Sequence, residues 1–112
     1  MSWSLFDGGK SIGALGSESG VIVRDEEHSD GARITLERNT TIAPFAITCG
    51  VYGWMFHTRY FGVEQEARTE FDLMSAELAK IMTTIPLTSD TEVDAKSRLV
   101  SDSMSKFVKR FP

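Results

Sequence analysis

The stretch FAITCGVYGWMFHTRYF, residues 45–61, carries the alternation that decides the fold. In its first half every second side chain is large or apolar, and small or polar residues stand between: Phe45, Ile47, Cys49 and Val51. Such alternation is typical of a strand with one apolar face. A turn near Tyr52 and Gly53 leads into a second run, residues 54–61. The stretch therefore predicts two neighbouring antiparallel strands joined by a short turn.

Upstream of this stretch the chain consists of short apolar runs separated by Gly-rich turns. The runs are residues 3–6, 11–15, 21–24 and 33–37, and an Asp-Gly turn at residues 7–10 predicts a hairpin between the first two. The acidic residues 25–30 are typical of a solvated hairpin tip. Because every connection is too short for a parallel crossover, residues 1–61 predict an antiparallel β-meander of four to six strands.

Beyond residue 62 the apolar period becomes helical. One stripe has a 4-3-4-3-4 spacing and ends before Pro86: Ala67, Phe71, Met74, Leu78, Ile81 and Ile85. Ser89 and Glu92 form a capping-box pattern that predicts a second helix to the C-terminus. The sequence thus predicts one α+β domain over residues 1–112. Residues 63–111 form an antiparallel helix hairpin in it, packed on one sheet face.

The charge balance argues against a nucleic-acid partner. The 112 residues include 12 basic and 16 acidic side chains, a net charge of −4, whereas nucleic-acid binders usually show a basic domain or stripe. The basic residues near the C-terminus match the dipole of the last helix. No apolar run approaches the ~18 residues of a membrane span. The single cysteine and the absence of a signal-peptide pattern predict a cytoplasmic protein.

Catalytic and metal-binding patterns are weak. Gly9-Lys10-Ser11 lacks the earlier glycine of a phosphate-binding loop, and the sequence predicts no cofactor. Cys49 and His57 are the only nucleophile–base pair, since they would face each other on neighbouring strands. Cys49 shares its face with apolar residues, which favours a buried thiol over a nucleophile. One cysteine and two distant histidines, His28 and His57, predict no metal site.

The second run of the opening stretch is aromatic on one side. Trp54, Phe56 and Tyr60 are expected to share that side of the strand. Met55, His57, Arg59 and Phe61 are expected on the other side. The helix hairpin can cover only one of the two sides. The aromatic side is therefore closed either by the Gly-rich N-terminal segment, which carries Trp3, Leu5, Phe6 and Leu15, or by a partner.

Two functions from different classes follow. The first is a non-enzymatic interaction domain that binds a second copy or another protein. Its contact residues are aromatic or basic, the types enriched at interfaces: Tyr52, Trp54, Phe56, Arg59 and Tyr60. The alternative is a small-molecule-binding domain or small enzyme, with a cleft between the aromatic face and the Gly-rich N-terminal segment.

Overall fold

The computed structural model describes residues 2–86 and 91–112. The described chain forms an antiparallel sheet followed by two helices, so the predicted α+β class is correct. A short 3-10 helix, Phe6–Gly9, follows the first strand. The elements in chain order are β1 (Trp3–Leu5), β2 (Val21–His28), β3 (Ala32–Arg38), β4 (Phe45–Val51), β5 (Met55–Phe61), α1 (Glu64–Met82) and α2 (Val93–Arg110).

The five strands lie in the order β1-β2-β3-β4-β5, and every neighbouring pair is antiparallel. This is the predicted meander. The registers of β3 with β4 and of β4 with β5 are unbroken, while β2 and β3 shift register between Ile22 and Arg24. Directly opposed residues of antiparallel strands share a sheet face. The registers therefore assign each side chain to one of two faces.

Both helices pack on one side of the sheet, which we call the helix face. The predicted stripe of α1 is buried there from Ala67 to Ile81, and Val100, Met104 and Phe107 of α2 complete the helical side. The sheet contributes the other half of the core: Ala32, Ile34, Leu36, Ile47, Cys49, Val51 and Phe61. Helix α1 ends at Met82 rather than just before Pro86. Ser89, the proposed helix cap, lies outside the described residues.

The predicted N-terminal hairpin is wrong. Residues 6–9 coil into the 3-10 helix, within which Asp7 and Gly8 have positive, non-helical φ, and the chain that follows does not reverse to pair with β1. Residues 11–15 form no strand, and Leu15 makes only an isolated bridge with Val21. Strand β1 pairs instead with residues 26–28 at the far end of β2.

The predicted acidic tip is also wrong in part. Strand β2 continues to His28 and pairs with β3 up to Ala32, so the reversal is confined to a tight turn around Gly31. Asp25, expected in solvent, is 1% exposed, and the neighbouring His28 is 2% exposed. The strand extends because both residues have partners. Asp25 accepts hydrogen bonds from Arg33 of β3, and the His28 ring packs edge-on against the Trp3 ring.

Candidate functional site

The side of the sheet away from the helices, which we call the second face, carries a charged pair of a buried Asp25 and a half-buried Arg33. Arg33 of β3 donates from Nε and Nη2 to the two oxygens of Asp25 on β2, at 2.9 and 2.7 Å. Thr35 donates its hydroxyl to the same carboxylate at 3.0 Å. The hydrogen bond to Asp25 raises the pKa of Arg33 above its already basic value. This two-point contact fixes the plane of the guanidinium.

A second buried acid holds the Gly-rich segment against the sheet. Glu37 of β3 is fully buried, and its Oε1 accepts the backbone N–H groups of Gly20 at 3.0 Å and Glu18 at 3.2 Å. Burial raises the pKa of the Glu37 carboxyl, although the two backbone hydrogen bonds act in the opposite direction. Glycine is needed beside it, since a Cβ on Gly16 would lie 2.3 Å from the Glu37 carboxyl carbon.

The N-terminal segment therefore closes part of the second face. The Phe6 ring lies under the Arg33 guanidinium, with Cζ 3.6 Å from the ring centroid. Trp3 points to the other side, where its Nε1 donates to the Ser75 carbonyl of α1 at 3.1 Å. Leu5 and Leu15 remain exposed. The segment covers the β2–β3 half of the second face and leaves an open half on the β5 side, where Phe56 and Tyr60 are exposed, although Ala46 and Gly50 of β4 are buried.

The open half carries exposed aromatic side chains. Phe56 is 81% exposed, although its ring lies directly over Gly50 of β4, where a Cβ would be 2.8 Å from the ring. Tyr60 is 40% exposed and donates its hydroxyl to Glu18 of the N-terminal segment. Tyr52, in the turn between β4 and β5, is also exposed and donates to Glu27 at 3.0 Å. Phe56 and Tyr60 lie on β5, the edge strand of the sheet, whereas Tyr52 reaches toward β2 through its bond to Glu27.

Between this open half and the N-terminal segment lies a cleft of about 330 Å³. Its floor is formed by sheet residues, among them Thr35, Thr48 and Gly50. Ser17 of the N-terminal segment, Arg33, Tyr52 and Phe56 stand around it. Arg33 donates to the described residues from Nε and Nη2 only. Its Nη1 can therefore donate to a molecule bound in the cleft.

Two of the expected contact residues lie elsewhere. The connection between β4 and β5 takes three residues, so Trp54 belongs to the turn and not to the alternating strand. Trp54 is half-buried against the helix-face core, beside Met104 and Val108 of α2. Arg59 lies on the helix face, as its register predicts, and pairs with Glu70 of α1 at 2.8 Å. The aromatic patch therefore consists of Tyr52, Phe56 and Tyr60.

Cys49 and His57 are opposed across β4 and β5, as the sequence predicts, but both are engaged in packing. Cys49 is buried, and desolvation raises the pKa of its thiol to about 12. A ring nitrogen of His57 is hydrogen-bonded to the Phe111 carbonyl at the end of α2. A thiol held in its neutral form lacks the thiolate that nucleophilic catalysis requires.

The sequence reasoning missed the buried polar pairs of the second face. Arg33, Thr35 and Glu37 alternate with Ile34 and Leu36, and this alternation indicates an apolar face without indicating that the polar face is buried. The available signal was the juxtaposition of two charged strands with a segment containing Gly13, Gly16 and Gly20. Small residues allow a backbone to approach a sheet closely, and there its N–H groups can reach an acid.

Comparisons of this chain with protein-family models, curated proteins and solved structures find no match. Among residues 2–86 and 91–112, no group of three or more His, Cys, Asp or Glu side chains is placed to hold a metal ion. Neither described helix combines the length and apolar character needed to cross a membrane.

Proposed function

We propose that the chain is a small, non-enzymatic interaction domain that forms a homodimer in which the exposed aromatic side chains of its second face make the contact. The observation that carries the proposal is the 81% exposure of Phe56 on a regular strand. Single exposed apolar residues are ordinary on monomers. Here Tyr60 is exposed on the same face of β5 and Tyr52 lines the same cleft, and aromatic residues are the type enriched at interfaces.

The two-fold dimer is the simplest assembly for such a patch, because one surface then serves both copies. The positions of Phe56 and Tyr60 are already fixed, by Gly50 beneath one and by Glu18 bound to the other. Ordering these side chains therefore costs little entropy on association. The buried, unpaired Cys49 supports a cytoplasmic location, where thiols stay reduced.

The mass in solution tests the proposal. At micromolar concentration, light scattering should give twice the chain mass of 12.4 kDa, and Phe56→Ser should shift it to one chain. The matched control is Leu99→Ser on α2, where an exposed leucine lies outside the second face. A wild-type mass of one chain contradicts the proposal. A dimer that survives Phe56→Ser moves the interface to another surface.

The cleft supports a second candidate, a small-molecule-binding domain or small enzyme. Its volume of about 330 Å³ falls at the lower end of ligand pockets, which span roughly 300–1,000 Å³. Arg33 Nη1 and the Thr48 hydroxyl are the polar groups that would orient a bound molecule.

A thermal-shift screen tests this second candidate. A ligand at 100 times its Kd should stabilise the fold by about 2.7 kcal/mol and raise the melting temperature by several degrees. Thr48→Val should reduce that shift, whereas Thr69→Val, on the exposed side of α1, should leave it unchanged. An equal shift in both variants would place the ligand outside the cleft.

A further inference from the structure

The outer edge of β5 is a long strand edge without a neighbour. Among the described residues β5 pairs with β4 alone, and its seven residues do so in unbroken register. The opposite edge of the sheet, β1, is only three residues long. An edge strand presents a row of backbone N–H and C=O groups that a further strand can pair with.

The sequence of β5, MFHTRYF, lacks the features that usually block such pairing. It contains no proline or lysine, and no bulge interrupts it. Its one charged side chain, Arg59, turns to the helix face and is neutralised by Glu70 within the same chain. The edge is thus open to a strand of the same kind.

We propose, building on the homodimer above, that two copies join edge to edge, β5 against β5, around a two-fold axis at Thr58. In an antiparallel pair centred on Thr58, residues at equal distance on either side lie opposite each other. Phe56 then faces Tyr60 of the second copy, and Tyr60 faces Phe56. Aromatic cross-strand pairs of this kind stabilise antiparallel sheets.

The centre at Thr58 is singled out by strand length. Thr58 is the midpoint of β5, so this register pairs all seven residues of each copy. Moving the axis to His57 or Arg59 leaves five residues paired. Either move also places Thr58 opposite one of the two exposed aromatic residues of β5 instead of pairing Phe56 with Tyr60. Full pairing and the aromatic match therefore coincide in one register.

The resulting dimer has a continuous ten-stranded sheet. A two-fold axis perpendicular to the sheet keeps the helices of both copies on the same side. The alternative dimer, in which the two second faces stack on each other, puts the helices on opposite outer sides. In the edge-to-edge dimer the two Thr58 residues are directly opposed, about 4.5–5.5 Å apart at Cα. That separation suits a disulfide.

Thr58→Cys tests the arrangement. Under mild oxidation the variant should form a covalent dimer on a non-reducing gel, while the wild type, whose only cysteine is buried, should not. The control is Thr48→Cys, on the same face but one strand further in. In the proposed dimer its two copies lie three strand spacings apart, roughly 14 Å, beyond disulfide reach.

The outcomes separate this inference from the homodimer itself. A mass of one chain overturns both, whereas a wild-type dimer in which Thr58→Cys folds and fails to cross-link overturns edge pairing alone. Cross-linking of both cysteine variants indicates stacked second faces and also overturns it. Hydrogen exchange of the unmodified protein decides the matter if Thr58→Cys does not fold. The amides of residues 55–61 that point away from β4 should lose protection on dilution, and unchanged protection of these amides counts against edge pairing.

Discussion

The carboxylate of Glu37 accepts the N–H of Gly20 at 3.0 Å, and this bond joins the N-terminal segment to the sheet. Glu37 is fully buried, so the carboxyl group that holds the segment has no contact with solvent. Such a group is stabilising only while its hydrogen-bond partners stay in place. The second face consequently owes its half-covered form to one acid on β3.

Replacing Glu37 should change how the stability of the fold depends on pH. Burial raises the pKa of Glu37 in the folded protein above its ordinary value of 4.5. A raised folded pKa gives stability at low pH that is lost as pH rises through the folded pKa. Relative to Glu37→Gln, which does not titrate, the wild-type free energy of unfolding should decline from pH 4.5 upward. Urea denaturation of both proteins across pH 4–8 measures this difference. A constant difference would mean that Glu37 is ionised equally easily in both states.

Gly16→Ala should destabilise the fold by overpacking. The added Cβ would lie 2.3–2.7 Å from the carboxyl atoms of Glu37, and overpacked sites of this kind cost about 1–3 kcal/mol. Gly62→Ala is the control, because nothing lies within 4 Å of a Cβ there. Chemical denaturation should show a loss for Gly16→Ala alone. Equal stability of the two variants would show that the N-terminal segment does not pack as closely as described.

Breaking the charged pair of the second face should be more costly than breaking an exposed one. Arg33→Met leaves Asp25 buried without its cation, a change that costs about 3–5 kcal/mol for buried pairs. About a third of the Arg33 side chain is exposed, so we expect the lower end of that range. Arg68→Met, which removes an exposed pair with Glu64, should cost less than about 1 kcal/mol. Similar losses in the two variants, measured by urea denaturation, would contradict the buried role of Asp25.

The sequence predicted the helix face well and the second face poorly, for a physical reason. Burial on an amphipathic helix follows a local sequence pattern, and the spacing of Phe71 and Leu78 is enough to predict that both are buried. Burial on the second face depends on which polar groups form pairs with one another. The pairing of Asp25 with Arg33 is set by strand register and turn geometry, and no local period encodes it.

The position of Trp54 illustrates the same point within the candidate site. Alternation from Phe56 and Tyr60 predicts that Trp54 lies on the same side of the strand as these two residues. Trp54 is the last residue of the three-residue turn, and the alternation begins only at Met55. The indole therefore packs toward α2 instead. Cys49 and His57 were placed correctly opposite each other because their separation depends only on the length of that turn.

Cys49 should be unreactive in the folded protein. Burial raises the pKa of its thiol from 9.0 to about 12, so the thiolate that attacks iodoacetamide is scarce and shielded at pH 8. Labelling should be far slower than that of glutathione and should accelerate only where urea unfolds the chain. Because the folded pKa is the higher one, the contribution of Cys49 to stability should be constant below pH 9 and decline as pH rises from 9 toward 12. Cys49→Ala has no thiol to ionise and should lack that part of the decline. Labelling of the native protein as fast as that of free glutathione would instead show an accessible thiolate opposite His57 and return this pair to consideration as a catalytic site.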